Sequence, residues 1–270
     1  MRAEWMTEWM MELADAGLDL LLGSRCAACG RPGVVLCRRC RAELEAGPLV
    51  RRAPPPGPGP GAPPVWSGAP YRPVAGRLVI AYKDRGAWTL RRPLTELAAR
   101  AALAAVGASG RQPEEVLLVP VPADPGRARE RGIDHTASLA RAVARWTGMR
   151  YRPVLVRSRS APDQVGLDSG RRRSAQTGTM TLGRRGARRA LPPGAAVVVL
   201  DDVVTTGATM AEAVRVLRRA GADVLGCATA AQTSLRASRK RGWTEIGQTQ
   251  PVRTRSTGKV SSFGAWHGGQ

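Results

Sequence analysis

The chain has 270 residues and a formal net charge of +21, carried almost wholly by arginine, since Lys83, Lys240 and Lys259 are its only lysines. That length suits one ordinary domain with a small accessory module. The charge favours a polyanionic or phosphate-rich partner, although the abundance of Ala, Gly and Pro beside Arg is equally what a GC-rich coding sequence produces. No run approaches the roughly 18 consecutive apolar residues that span a bilayer. Leu18–Leu22 is too short for the core of an export signal, follows acids, and lacks a clear cleavage site, so a soluble, unexported protein is expected.

Residues 4–22 read as an amphipathic helix, with Glu4, Glu8, Glu12, Asp15 and Asp19 on one stripe and Trp5, Trp9, Leu13, Ala16 and Leu20 on another. The segment is acidic on a basic chain. It either docks on the body of its own chain or of a second copy, which admits a homo-oligomer, or presents an ordinary solvated face.

Two cysteine pairs follow, Cys26-Ala-Ala-Cys29 and Cys37-Arg-Arg-Cys40, joined by seven residues. Each pair can turn both sulfurs toward one point, and two such turns complete a tetrahedral four-sulfur set for Zn2+. No open coordination position is expected, so the metal's role is structural; an iron–sulfur centre or redox-active dithiols are the alternatives. Cys227, in an apolar run, reads as a small buried residue.

The organisation expected is a helix and zinc ribbon over 1–45, a Pro/Gly-rich linker over 46–65, a globular domain over 66–235 and a disordered basic tail over 236–270. Within the domain, helices are expected over 74–82, 89–103, 135–147 and 208–220, and strands over 116–121, 154–156, 195–200 and 224–230. Residues 157–177 form a long Arg-rich loop. Strands separated by helices argue for an α/β fold built on a parallel sheet.

The stretch Val197-Val-Val-Leu-Asp201-Asp202-Val203-Val204-Thr205-Thr206-Gly207-Ala208-Thr209 carries the chemistry. A buried strand delivers two acids at its carboxyl end, where ligands bind in open α/β sheets. Asp201 and Asp202 can accept hydrogen bonds from vicinal ribose hydroxyls or act on Mg2+ indirectly, and are the expected catalytic pair. Val203 to Thr209 forms the phosphate and ribose loop, in which hydroxyls and the free N–H groups of the next helix cradle an anion and Gly207 admits close backbone approach. A bare strand, turn and capped helix needs neither the acid pair nor three threonines.

Taken in order, the four cysteines, Tyr82-Lys83-Asp84-Arg85-Gly86, Val119-Pro-Val-Pro122, Arg131-Gly132, Asp163-Gln164-Val-Gly-Leu167 and the acid–threonine loop resemble the ComF family over roughly residues 15–235. The resemblance implies a type I phosphoribosyltransferase-like parallel sheet with helices on both faces, preceded by a zinc ribbon, and a ligand of the 5-phosphoribosyl diphosphate (PRPP) class with Mg2+. It implies Lys83, Arg127, Arg129 and Arg131 on the diphosphate side, and a mobile loop bringing Gln164, Arg172 and Arg173 over the sugar. It also implies a cytoplasmic setting in competence and DNA uptake, beside a helicase and single-stranded DNA. The chain departs from the family where Arg131-Gly132-Ile133-Asp134-His135 replaces the usual Arg-Gly-Phe-Asn-Gln, and where Ala175 replaces an Asn. His135 is a titrating group, a cap or a packed residue.

Two functional classes remain open on these residues. One is an Mg-dependent phosphoribosyltransferase with unknown acceptor. The other is a non-catalytic nucleotide sensor, or a component that contacts single-stranded DNA or a helicase, although aromatics that would stack bases are scarce.

Overall fold

The computed structural model describes residues 24–52, 63–84, 86–124, 134–157, 178–183 and 190–233. All of these fall within one unit, Met1–Leu235. The helix expected over 4–22, the residues Arg127, Arg129, Arg131, Gln164, Arg172 and Arg173, and the tail over 236–270 lie outside the described residues.

Helix α1 (Arg38–Glu45) is followed by strands β1 (Val50–Arg52) and β2 (Val65–Pro70), helices α2 (Pro73–Asp84) and α3 (Arg91–Gly107), strand β3 (Leu117–Pro120) and helix α4 (His135–Thr147). Then come strands β4 (Arg150–Tyr151), β5 (Leu155–Arg157), β6 (Met180–Leu182) and β7 (Ala196–Val204), helix α5 (Ala208–Arg219) and strand β8 (Asp223–Gln232). The main sheet has the order β1-β2-β8-β7-β3-β4. Every pairing in it is parallel except β1 with β2; β5 and β6 form a separate antiparallel pair.

The four-residue apolar run at the start of β7 explains its central place. Val198 and Leu200 enter the core shared with α2, α3 and α4, while Val197 and Val199 enter the core shared with α5. A strand covered on both faces has no polar side to alternate with, and each fully buried Val or Leu contributes about 1.5–3 kcal/mol. On the α3 face the packing is close because the residues are small: a Cβ on Gly68 would sit 2.1 Å from the Leu97 carbonyl oxygen, and one on Gly226 would sit 2.9 Å from the Ala105 Cβ.

The structure departs from the sequence reading in several places. β7 does not stop at Leu200 but continues through both acids to Val204, because β8 runs alongside it as far as Gln232 and the ladder needs only backbone. The stretch read as linker holds β1, whose Val50, Arg51 and Arg52 pair with Ser67, Trp66 and Val65. A short 3-10 turn, Trp88–Leu90, precedes α3. The cysteine module is less of a ribbon than expected: the bridge Arg25↔Pro32 frames the first pair, but Cys37 sits at the amino end of α1 and Cys40 lies inside that helix. Cys26, Cys37, Cys40 and Leu44 share a core with Val74 and Leu78 of α2, and the Arg77 guanidinium donates to the Ala28 carbonyl. The module is thus joined to the sheet by packing as well as by chain.

Candidate functional site

Parallel order puts the carboxyl ends of β2, β8, β7 and β3 on one side of the sheet. A cleft of about 470 Å³ opens there, lined by Asp201, Asp202, Val203, Thr205 and Thr209 from the β7–α5 segment. α2 supplies Val79, Ile80 and Lys83 to it, and the segment after β3 supplies Val121, Pro122, Ala123 and Asp124. Tyr71, His135, Thr136 and Arg157 complete the lining.

Asp202 points to the α2 side and is fully buried; its Oδ2 lies 2.6 Å from Lys83 Nζ. Its Oδ1 accepts the Val203 N–H at 2.7 Å, while Asp201 Oδ1 accepts the Asp202 N–H at 2.9 Å. Burial, and then the neighbouring Asp202 carboxylate, pushes the Asp201 carboxyl up to about 8 against the opposing pull of Lys83. The acid pair therefore sets one buried carboxyl, Asp202, against a cation, while the other, Asp201, holds its proton near neutrality. Lys83, expected on the diphosphate side, is placed on the acid pair.

After Val204 the chain turns sharply. Gly207 has φ +81°, a left-handed conformation that a side chain disfavours, and it stands where a capping side chain would otherwise sit on α5. Gly207 itself offers no side-chain cap, so apart from the Ala208 N–H, which Thr206 meets, the first N–H groups of α5 form an anion-binding end. Thr205 and Thr209 reach the cleft, Val204 is buried beneath it, and Thr206 Oγ1 accepts the Ala208 N–H at 3.4 Å.

Two cleft residues not singled out as site residues by sequence are fixed from behind. Arg157, directly after the strand read over 154–156, donates from Nε to the Pro122 carbonyl at 3.2 Å and so stands at the β3 end of the cleft. His135 is the packed residue of the three readings: it stacks on Trp88 at 5.0 Å between ring centres and meets Tyr82 edge-on at 4.9 Å. The cap of α4 is Asp134, whose Oδ1 accepts the Ala137 N–H at 2.9 Å.

The second candidate centre is the cysteine cluster. The sulfurs of Cys26, Cys29, Cys37 and Cys40 all lie within 4.8 Å of one another. Cys29 Sγ and Cys37 Sγ are 3.7 Å apart, close to the roughly 3.8 Å edge of a zinc–thiolate tetrahedron with 2.3 Å bonds. Burial opposes ionisation of Cys26, yet the Cys37, Cys29 and Ala28 backbone N–H groups outweigh it and bring the thiol down to about 6. The Cys40 thiol is raised by burial and by the other three sulfurs. The Cys40 backbone N–H lowers the Cys37 thiol as well, and four crowded sulfurs of which two ionise more readily than an ordinary thiol are a donor set that a dication completes, so the residues fit a metal ion such as Zn2+.

A family model described as a phosphoribosyl transferase domain matches residues 137–258. The DNA utilization protein YhgH of Salmonella typhimurium is 29% identical over 230 residues, covering 81% of this chain and 91% of that protein. An adenine phosphoribosyltransferase of Gluconacetobacter diazotrophicus is 42% identical over 52 residues, 19% of this chain and 30% of that enzyme. Among solved structures, adenine phosphoribosyltransferase from Saccharomyces cerevisiae aligns with 73% of this chain and 89% of its own at 15% identity, with a TM-score of 0.34. Among the described residues no helix is long and apolar enough to cross a membrane. The mostly parallel sheet, the matched phosphoribosyl transferase domain, the similarity to YhgH and the four-cysteine cluster together bear out the resemblance of the chain to the ComF family of phosphoribosyltransferase-like proteins.

Proposed function

We propose that the chain binds PRPP, or a nucleotide carrying the same 5-phosphoribosyl group, in the cleft at the carboxyl end of β7, and that it does so in DNA utilization. The observation that carries this reading is the meeting, in one cleft, of an acid pair on the central strand with the Gly207 turn that opens α5. A 5-phosphate suits the amino end of α5 and the Thr205, Thr206 and Thr209 hydroxyls, because N–H groups and dipole there favour an anion. Ribose hydroxyls suit Asp201 and Asp202. The Val121–Asp124 segment with Arg157 then receives the diphosphate, together with Arg127, Arg129 and Arg131, and Gln164, Arg172 and Arg173 cover the sugar.

Asp124, Asp201 and Asp202 are hard oxygen donors of the kind Mg2+ takes, and all three line the cleft. When bound with the diphosphate, Mg2+ supplies charge neutralisation on that group. Lys83 acts elsewhere, as the cation set against the buried Asp202 at 2.6 Å. The four-cysteine site serves as a structural zinc centre that locks the amino-terminal module to α2. The DNA-utilization setting comes from the YhgH relative, and the chain's +21 charge is in keeping with contact to single-stranded DNA.

Isothermal titration of the intact protein with Mg-PRPP tests the reading. Saturable binding is expected, reduced at least tenfold in an Asp201→Ala, Asp202→Ala double variant. An intact, folded protein that takes up no PRPP and no ribose 5-phosphate sinks the proposal.

A further inference from the structure

The phosphoribosyl reading uses the amino end of α5 and leaves the outer flank of that helix without a role. A groove of about 540 Å³, separate from the cleft, runs there between α5, strand β6 and the residues that lead into β7. Its floor is apolar and buried: Met180 of β6, Leu191, and Val216 of α5 are each 8% exposed or less. Its rim is cationic. Arg215 and Arg219 stand one helical turn apart on α5, and both line the groove. Arg215 directs two of its five N–H donors to Glu212, and its side chain is still 30% exposed. Arg219 is exposed, with no acidic partner among the described residues.

An apolar trough edged by guanidinium groups suits a helix whose apolar face is flanked by acids. The chain itself carries a sequence of that kind. In α5 each rim arginine is followed directly by an apolar residue, Arg215-Val216 and, four positions on, Arg219-Ala220. Near the amino terminus the same spacing recurs with the opposite charge, as Glu4-Trp5, Glu8-Trp9 and Glu12-Leu13. Two helices laid side by side at that shared period bring an acid to each arginine and a tryptophan or leucine to the trough. Residues 1–22 hold five acids against the single Arg2, on a chain whose net charge is +21, so attraction to an arginine-edged groove is built into the composition.

We propose that the acidic segment 4–22 of one copy lies in the α5–β6 groove of a second copy, and that the exchange is reciprocal, giving a twofold dimer. A second copy is favoured because the segment and the groove belong to opposite faces of the sheet. The cysteine module, where residue 24 begins, shares the core of α2 and α3, whereas α5 belongs to the other core. From the module through α2 and the sheet to α5 is about 30 Å, at roughly 10 Å per layer, and a path within one chain must go round the sheet. A helix from Glu12 to Ser24 covers only about 18 Å. The area also suffices: two tryptophans bury about 300–500 Å² per segment, and a reciprocal exchange, counted on both partners, brings the total into the range of roughly 1,200–2,000 Å² typical of stable interfaces. The inference is independent of the phosphoribosyl reading.

Sedimentation velocity of the intact, zinc-loaded protein over a concentration series tests it, and a dimer is expected. Arg219→Glu, and separately the Glu8→Arg, Glu12→Arg double variant, should each raise the dimer dissociation constant at least about tenfold, because like charges then meet at the rim. An equimolar mixture of these two variants should dimerise again, since each segment now finds a groove of opposite charge. That recovery distinguishes exchange between copies from docking within one chain and from a loss of folding. An intact protein that stays monomeric, variants that dimerise as the parent does, or a mixture that remains monomeric each overturn the proposal, and all leave the phosphoribosyl site standing.

Discussion

Replacing Lys83 with methionine keeps the aliphatic stem and removes only the charge that faces Asp202. The pair is asymmetric: the Asp202 side chain is 2% exposed and that of Lys83 33%, with 2.6 Å between Nζ and Oδ2. At an effective dielectric constant of about 20, two unit charges at that separation attract by roughly 6 kcal/mol, an upper bound, because water reaching the lysine screens it. Breaking a buried pair from one side costs about 3–5 kcal/mol, and the partial exposure of Lys83 puts this case at the low end, about 3 kcal/mol. For a domain of this size that is a fall in Tm of roughly 6–12 °C. Urea unfolding of the ligand-free, zinc-loaded protein reads the loss as a lower midpoint at unchanged slope. Asp202→Asn in the Lys83→Met background removes the stranded charge and should restore most of the stability, which makes the pair strongly non-additive. Equal midpoints for the parent and Lys83→Met, or a double variant no better than the single, would refute the view that Lys83 is the counter-ion of the acid pair.

Asp201 should give the empty cleft a pH signature. Its carboxyl stays protonated up to about 8 in the folded protein, whereas the unfolded chain releases that proton near the ordinary value of about 4. The stability it contributes is full below pH 4 and drains as pH rises toward 8, so Asp201→Asn should raise Tm at pH 8 and hardly move it at pH 4; the same shift at both pH values contradicts this. Chelation should remove one zinc per chain and lower Tm, because Cys26, Cys37 and Cys40 belong to the core shared with α2; a metal-free protein of unchanged Tm refutes the centre. Arg215→Ala strands the buried Glu212 carboxylate, which Arg215 holds through two 2.7 Å contacts, and should cost about 3 kcal/mol in urea unfolding, whereas a cost under 1 kcal/mol speaks against a buried pair. Gly68→Ala drives a methyl group into the Leu97 carbonyl and should destabilise by at least about 2 kcal/mol; a neutral result would mean that α3 can lift off β2 freely.

What was legible in the sequence was whatever the local pattern decides. The apolar run before Asp201 reads as a buried strand, and the thirteen residues of α4 begin and end where their apolar period does. The cysteine spacing predicted a shared point for four sulfurs, and the sulfurs do converge. What escaped was set by long-range partners. β2 is a short strand, Val-Trp-Ser-Gly-Ala-Pro, with no alternation to mark it, and it forms because β8 offers a parallel edge. β1 then follows from β2, on the near side of a proline-rich stretch that reads as a spacer. Lys83 belongs to a helix whose own pattern gives no hint of Asp202.

The same distinction explains the floor of the cleft. Asp201 stands in register with Thr229 of β8, and Thr229 with Ser67 of β2. The two hydroxyls are fully buried and 2.7 Å apart, 162 positions distant in the chain. Neither residue is notable where it stands in the sequence, one in a short strand and the other in an alanine-rich one. Together with Asp201 they form a polar row across three strands at the level of the cleft. A buried serine or threonine is tolerated only with a partner: Thr229 meets Ser67, which also donates to Gln232 Oε1 at 3.3 Å, and the register that unites the strands also brings Asp201 to the cleft. The acid pair is therefore placed by the parallel register of β2, β8 and β7 as much as by its own motif. A one-residue slip of β8 would exchange Thr229 for an alanine and turn the row to the opposite face.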